Sequence, residues 1–298
     1  MTNRSPETSL AALVKAGSYP SIITMGFVLY LTLTGWGVSL TLASYAAVLV
    51  GAALVTLHET LLPYRMAWRP PASEMKADVL FLVTVQVALP YLLAVTVATT
   101  LAASLRTAGF TIQGFWPHGL PIAVQACLMV LAADFPRYWL HRAFHHFTFM
   151  WRFHAVHHSP HRLYWLNVGR FHPIEKAVQY VVDTLPFALL GVSQDVLVAY
   201  FVFYALNGFF QHSNCRVRLG FLNYVVSGPE LHRWHHSAIP KESDTNFGNN
   251  LILWDLLFGT RFLPQDREVG PLGLVNRHYP TGFFVQMKTP FVRGLENG

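Results

Sequence analysis

The chain is 298 residues long, 53% of them hydrophobic and only 12% charged, which is too apolar for a soluble domain of ordinary composition. Its formal net charge is +6 with 15 histidines counted neutral. The basic residues lie between apolar runs rather than in a basic domain of their own, which excludes a nucleic-acid contact stripe and suits an anionic membrane surface.

In chain order, the first twenty residues carry Arg4 and Lys15 and no compact apolar stretch ending at a small-residue cleavage site. The reading is of no removable leader, with the first span directing insertion. Residues 20–57 are almost continuously apolar, long enough for two passes of about 20 residues, with Gly35, Trp36 and Gly37 at the turn. A polar, basic stretch follows, with Arg65, Arg69 and Lys76 among Pro63, Pro70 and Pro71. Residues 79–105 then make a third span that Pro90 is expected to kink.

The loop 106–118 holds a single basic residue, which assigns it to the outer side. Residues 119–146 predict a fourth crossing. As a helix it would run about 42 Å against a hydrocarbon core of about 30 Å, so its end should protrude. Arg152, Arg162, Arg170 and Lys176 place the next stretch on the cytoplasmic face. Residues 174–210 are apolar again but broken by Gly191, Ser193, Gln194 and Asp195, so they read as a short hairpin that returns to its starting side. The predicted fold class is therefore an all-α integral membrane protein of about four transmembrane helices plus this hairpin, capped by a cytosolic helical, histidine-rich domain. The expected divisions are 1–133, 134–263 and a C-terminal tail, 264–298.

Three motifs carry the chemistry: HRAFHH, with His141, His145 and His146; HAVHH, with His154, His157 and His158; and HRWHH, with His232, His235 and His236. Residues at i, i+3 and i+4 of a helix share a face, so each motif can aim two or three imidazoles at one point. One histidine alone would read as a surface residue; three clusters at ligand spacing read as a metal site. A structural zinc needs four ligands, so nine or ten imidazoles suggest two ions. Neutral ligands favour a redox pair that meets dioxygen over a hydrolytic zinc, and iron is the expected metal, with zinc possible in an isolated preparation. Cys127 and Cys215, the only cysteines, exclude a disulfide framework and a four-cysteine iron–sulfur site. Neither GxSxG nor HExxH occurs, which argues against a hydrolase. A membrane metal carrier using the same imidazoles is the alternative from another class; iron-dependent oxygen uptake would separate the two.

Residues 134–262 resemble the fatty acid hydroxylase and sterol desaturase superfamily of membrane-bound di-iron oxygenases. The resemblance rests on DFPRYWLHRAFHH, WRFHAVHHSP, RFHPIE, the QHSN around His212, GPELHRWHHS and NFGNNLILWDLLFGT. It implies a metal pair at the membrane surface and oxygen-dependent hydroxylation of a lipid, with desaturation or fatty-aldehyde cleavage as the runners-up. It also implies that His141, His146, His154, His157, His158, His212, His232, His235 and His236 are metal ligands, with His145 a tenth candidate. Fatty acid 2-hydroxylases carry a further ligand histidine where this chain has Gly208, which leaves the last place to His145, to His172 or to an open position. Asp134, two helical turns before His141, is either a hydrogen-bond partner of a ligand imidazole or a polar contact inside the bundle. Asp255 is expected to cap a turn. His58, His118, His161 and His278 are read as ordinary interface or surface histidines.

Expected partners are a membrane lipid substrate, O2 and a separate electron donor (a ferredoxin, a cytochrome or a reductase), because no haem domain, flavin fingerprint or cysteine set is visible. The histidine motifs are expected on the cytoplasmic side. With no cytochrome domain and no C-terminal dilysine signal, a bacterial inner membrane is favoured over the endoplasmic reticulum.

Overall fold

A computed structural model describes residues 9–109 and 113–295. Arg4 and the middle of the loop assigned to the outer side lie outside these residues. The described residues are helical with no β-strand beyond isolated bridges such as Pro63 to Cys215. Three helices are long and apolar enough to cross a membrane, and they make this an integral membrane protein: α1 (Ser9–Gly35), α2 (Leu40–Leu61) and α3 (Ala72–Leu105). α3 contains Pro90 and widens into π-helical turns over Leu82–Ala88 and Ala94–Ala98, on either side of it. Wider turns of this kind re-house the carbonyl that a proline leaves without its N–H.

α4 (Ile122–His146) stands where the fourth crossing was expected. It is long enough to cross, at about 1.5 Å per residue, and its inward face buries Gln125, Asp134 and Arg137 against its neighbours. α5 (Thr148–His158) follows after one residue. The returning hairpin forms from α6 (Pro173–Asp183), α7 (Leu185–Leu189) and α8 (Gln194–His212), turning at residues 190–193. α9 (Pro229–His235), α10 (Pro240–Ser243), α11 (Leu253–Phe258) and α12 (Phe283–Gln286) complete the cap.

α8 is the keel of the fold. Within a bilayer, apolar burial drives helix association weakly and close backbone approach does most of the work. Gly26 of α1 and Gly51 of α2 open a slot for Leu206 of α8: a Cβ on Gly51 would lie 2.1 Å from Leu206 Cδ2, and one on Gly26 would lie 2.4 Å from Cδ1. Tyr19 donates to Asn207 Oδ1 at 2.8 Å in the same contact, which satisfies a buried amide oxygen and fixes the height of α1 against α8.

Below the spans, Glu59 at the end of α2 accepts the backbone N–H groups of Trp165 and Asn214 at 2.8 and 2.7 Å, tying together the segments that lead into and out of the hairpin. Asp78 of α3 accepts from Arg170 Nε at 2.7 Å and from the Tyr164 hydroxyl. The C-terminal stretch is packed rather than trailing. Leu272, Leu274 and Tyr279 are buried, and Gln286 donates to Ser159 Oγ at 2.9 Å just beyond α5.

Candidate metal centre

α4, α5, α8 and α9 end at one place, and their last turns carry the histidines. The side chains form two groups. In one, His141, His145, His154, His158 and His235 each present a nitrogen within 4.8 Å of the others; in the second, His157, His212, His232 and His236 do the same. The sequence neighbours His157 and His158, and His235 and His236, are divided between the groups, because adjacent helical residues diverge by about 100°. The groups therefore share walls: His158 stacks on His236 at 4.5 Å between ring centroids.

Two expectations change here. His146 is exposed, lies outside both groups and has its ring against Phe147 at 4.9 Å, whereas His145 lies inside the first group. The reason is helical phase: HRAFHH spaces its histidines i, i+4 and i+5, and i+5 is about 140° around from i. His172 is also outside both groups. It caps α6, accepting from Ile174 N through Nδ1 at 3.2 Å, and its Nε2 lies 3.3 Å from Met287 O. Gly208 lies one turn before His212, against Val168.

Most of these rings are held from behind. Nδ1 of His141 meets Phe247 O at 2.8 Å, that of His154 meets Glu175 Oε1 at 2.7 Å, and that of His212 meets Asn167 Oδ1 at 2.9 Å. His235 meets Thr245 O at 2.9 Å, His157 meets Arg170 O at 3.2 Å and His145 meets Asp244 Oδ1 at 2.9 Å. An acceptor at Nδ1 fixes the N–H there and leaves the Nε2 lone pair facing inward. Four of these six partners were hard to see in sequence. Three are backbone carbonyls, which have no residue signature, and Asn167 stands in no histidine motif.

Nε2 atoms then confront one another: His141 and His154 at 3.0 Å, His158 and His235 at 3.1 Å, His212 and His232 at 3.0 Å, His232 and His236 at 3.1 Å. In the first pair both Nδ1 atoms have acceptors, so two lone pairs meet head on, which is repulsive unless a cation lies between them. About 3 Å is also the separation of adjacent imidazole nitrogens around one ion at bonds of about 2.0–2.1 Å. His145 Nε2 is buried with no partner. Burial, reinforced by neighbouring imidazoles, holds His154, His157, His158, His232, His235 and His236 well below their ordinary 6.5, in the neutral form that a metal requires. The donor set fits two divalent ions.

The acidic residues support this cage without entering it. Asp134 does not touch a histidine; it accepts from Asn250 N and Nδ2, both at 2.8 Å, and from Leu251 N at 2.5 Å. Asp255 accepts from Phe247 N at 2.8 Å, Gly248 N at 2.7 Å and Thr260 Oγ1 at 2.6 Å. Together they fix residues 247–251, the loop whose Phe247 carbonyl steers His141. Of the histidines read as ordinary, His58 is instead buried in α2, and His161 lies 3.3 Å from Leu272 O. His278 is exposed.

A cavity of about 780 Å3 reaches the cage from the side of α2 and α3, and His141, His154, His157, His212 and His232 stand at its inner end.

A family model of fatty acid hydroxylases matches residues 126–260. The chain is 33% identical over 249 residues to ornithine lipid hydroxylase OlsE of Rhizobium tropici, covering 81% of this chain and 73% of that protein. It is 32% identical over 142 residues to alkylglycerol monooxygenase of Xenopus tropicalis, and 32% identical over 161 residues to that of Homo sapiens. The matches span 31% and 35% of those two proteins, about a third of their length. No solved structure matches.

Proposed function

The chain belongs to the fatty acid hydroxylase family, and from that premise we propose that it is a membrane-bound non-haem di-iron oxygenase that hydroxylates a C–H bond of a lipid. Its relatives are named for hydroxylation of an ornithine lipid and oxygenation of alkylglycerols, which favours hydroxylation over desaturation. The observation that carries the reading is the pair His141 and His154, whose Nε2 lone pairs face each other at 3.0 Å while both Nδ1 atoms are taken.

His141, His145, His154, His158 and His235 would hold one iron ion, and His157, His212, His232 and His236 the other. Bound iron supplies the redox chemistry of dioxygen activation. In the net reaction one oxygen atom enters the C–H bond and the other leaves as water. The electrons and protons for that water come from a separate donor, a ferredoxin, a cytochrome or a reductase. The chain's own residues do the rest. Phe247, Glu175, Asn167 and Thr245 orient the imidazoles, Asp134 and Asp255 hold the loop behind His141, and the cavity admits a lipid from the bilayer while excluding water. The positive-inside rule applied to Arg152, Arg162, Arg170 and Lys176 supports a cytoplasmic histidine cap, and the membrane in this reading is a bacterial inner membrane.

The test is a lipid extract from cells with and without the chain, together with oxygen uptake by purified protein loaded with ferrous iron and a reductant. A lipid heavier by one oxygen atom, lost in His157→Ala, is the expected result. Full restoration of that lipid by His157→Ala, or metal binding without oxygen uptake, would remove the reading.

A further inference from the structure

The cavity has two unlike walls. Val48, Leu49 and Ala52 of α2 and Leu82, Val87 and Ala94 of α3 make one side of it apolar apart from Gln86. Opposite, α4, α6 and α8 turn in Arg137, Lys176, Gln179, Asp183, Tyr200 and Tyr204. All but Tyr204 of these are at least nine-tenths buried. Burying a polar side chain without a partner costs free energy, so a strip of them beside a lipid-sized hole needs a ligand to satisfy it.

The unmet demand has a sign. Arg137 is held only loosely, with Nε 3.4 Å from Asp183 Oδ2 and Nη2 donating to Asn249 Oδ1 at 3.2 Å. Lys176 donates to the Tyr204 hydroxyl at 3.0 Å, a neutral acceptor. The Tyr200 hydroxyl and Asn249 Nδ2 have no hydrogen-bond partner within the protein. Of the cavity's two carboxylates, Glu175 spends Oε1 on His154 and Gln179, and Asp183 is shared between Arg137 and the Thr184 hydroxyl. The two cations set the sign, Arg137 with one long ion pair and Lys176 with no carboxylate of the described residues in ion-pair contact. Acceptors are left over as well: Gln86 Oε1, Glu175 Oε2 and Gln179 Oε1 lack a donor, which O–H or N–H groups beside the bound charge would satisfy.

The strip is also close to the metal cage. Arg137 precedes His141 by one helical turn, about 6 Å along α4, and Lys176 adjoins Glu175, the partner of His154. We infer that the substrate is an anionic amphiphile whose carboxylate or phosphate enters the cavity and seats between Arg137 and Lys176, with its chain along the α2 and α3 wall. This rests on the hydroxylase reading and narrows it: the carbon presented to the histidines lies near the charged group rather than at the far end of the chain, and a neutral lipid would leave the strip unsatisfied.

The experiment is equilibrium dialysis of metal-free protein in nanodiscs against palmitate, palmitoyl lysophosphatidate and hexadecanol, which share a chain and differ in the polar end. At least one anion should be retained about tenfold or more over the alcohol, and whichever is preferred separates carboxylate from phosphate. That preference should collapse in Arg137→Gln and Lys176→Gln and return in Arg137→Lys, with melting curves showing which variants are folded. If Arg137→Gln does not fold, Lys176→Gln decides alone. Equal retention of hexadecanol, or an anion preference that survives in the folded variants, would overturn the inference. Because no metal or turnover is involved, the two readings fail separately: anion binding without lipid oxidation removes the enzyme reading, and oxidation of a neutral lipid without anion preference removes this one.

Discussion

Glu175 reaches across from α6 to take the Nδ1 proton of His154 at 2.7 Å, while its other oxygen stays without a partner inside the cavity. The carboxylate both turns the imidazole and raises its basicity as a ligand. Glu175→Leu should therefore lower iron affinity about 10–100-fold, the usual effect of losing such a partner, whereas Glu175→Gln, which keeps an acceptor oxygen, should lose less. Titration of the metal-free protein with ferrous iron would check the order; equal affinities in all three proteins would mean that Glu175 does not orient His154.

The exchange of His146 for His145 gives a second prediction. His145→Ala should lose one ion of the pair or bind it much more weakly, because it opens the first group. His146→Ala should keep both, since that ring is exposed beside Phe147. Metal analysis of the two purified variants reads this directly, and a deficit in His146→Ala would contradict the assignment.

That exchange also shows what sequence alone could and could not reveal. Nine of the ten candidate histidines do converge, because helical spacing within each motif is a local property. At HRAFHH the resemblance implied His146, and the 3.6-residue period favours His145, which shares the face of His141. The α1 and α2 hairpin and the return of α8 to the side of His172 were legible from hydropathy and turn residues. By contrast, the role of Asp134 was not. Whether a carboxylate two turns from His141 meets an imidazole or the 250–251 backbone depends on contacts more than 100 residues apart. The same distance hid the polar strip: Arg137, Lys176 and Tyr204 belong to three helices, and nothing in their separate contexts tells that they line one hole.

Six histidines on α5 and at α9 give a pH dependence. Their pKa values are lowered in the folded chain, so below 6.5 the unfolded chain binds protons that the folded one does not. Stability is then fully present above 6.5 and is lost as pH falls from there toward the folded values. Metal-free protein in detergent should melt at progressively lower temperature as pH drops below 6.5, and more steeply than a variant with His157 and His236 replaced. A flat profile over that range would mean that these rings are not buried neutral.

The slot for Leu206 makes a packing prediction that does not involve the metal site. Gly51→Ala puts a methyl group where Leu206 Cδ2 now lies, and overpacking of this kind costs about 1–3 kcal/mol. Leu206→Ala alone should also destabilise, by leaving a void, but the double variant should recover part of the loss because each change makes room for the other. Thermal melting of the four proteins in one detergent measures the coupling; strict additivity would show that α2 and α8 do not meet at this pair.

The last prediction concerns the loop behind His141. Asp255 receives the N–H groups of Phe247 and Gly248 through separate oxygens, which turns the Phe247 carbonyl toward His141 Nδ1 at 2.8 Å. Asp255→Asn presents an amide N–H to one of those donors in place of an acceptor, so one backbone N–H loses its bond at a cost of about 1–3 kcal/mol. His141 should then lose its preferred tautomer, and iron affinity in the first histidine group should fall while the second group is spared. Asp134→Asn, which disturbs residues 250 and 251 but not Phe247, is the comparison: it should lower the melting temperature with a smaller effect on iron. Melting curves and iron titrations on both variants separate these outcomes, and equal loss of iron in the two would mean that the loop acts as a single rigid support rather than through the carbonyl of Phe247.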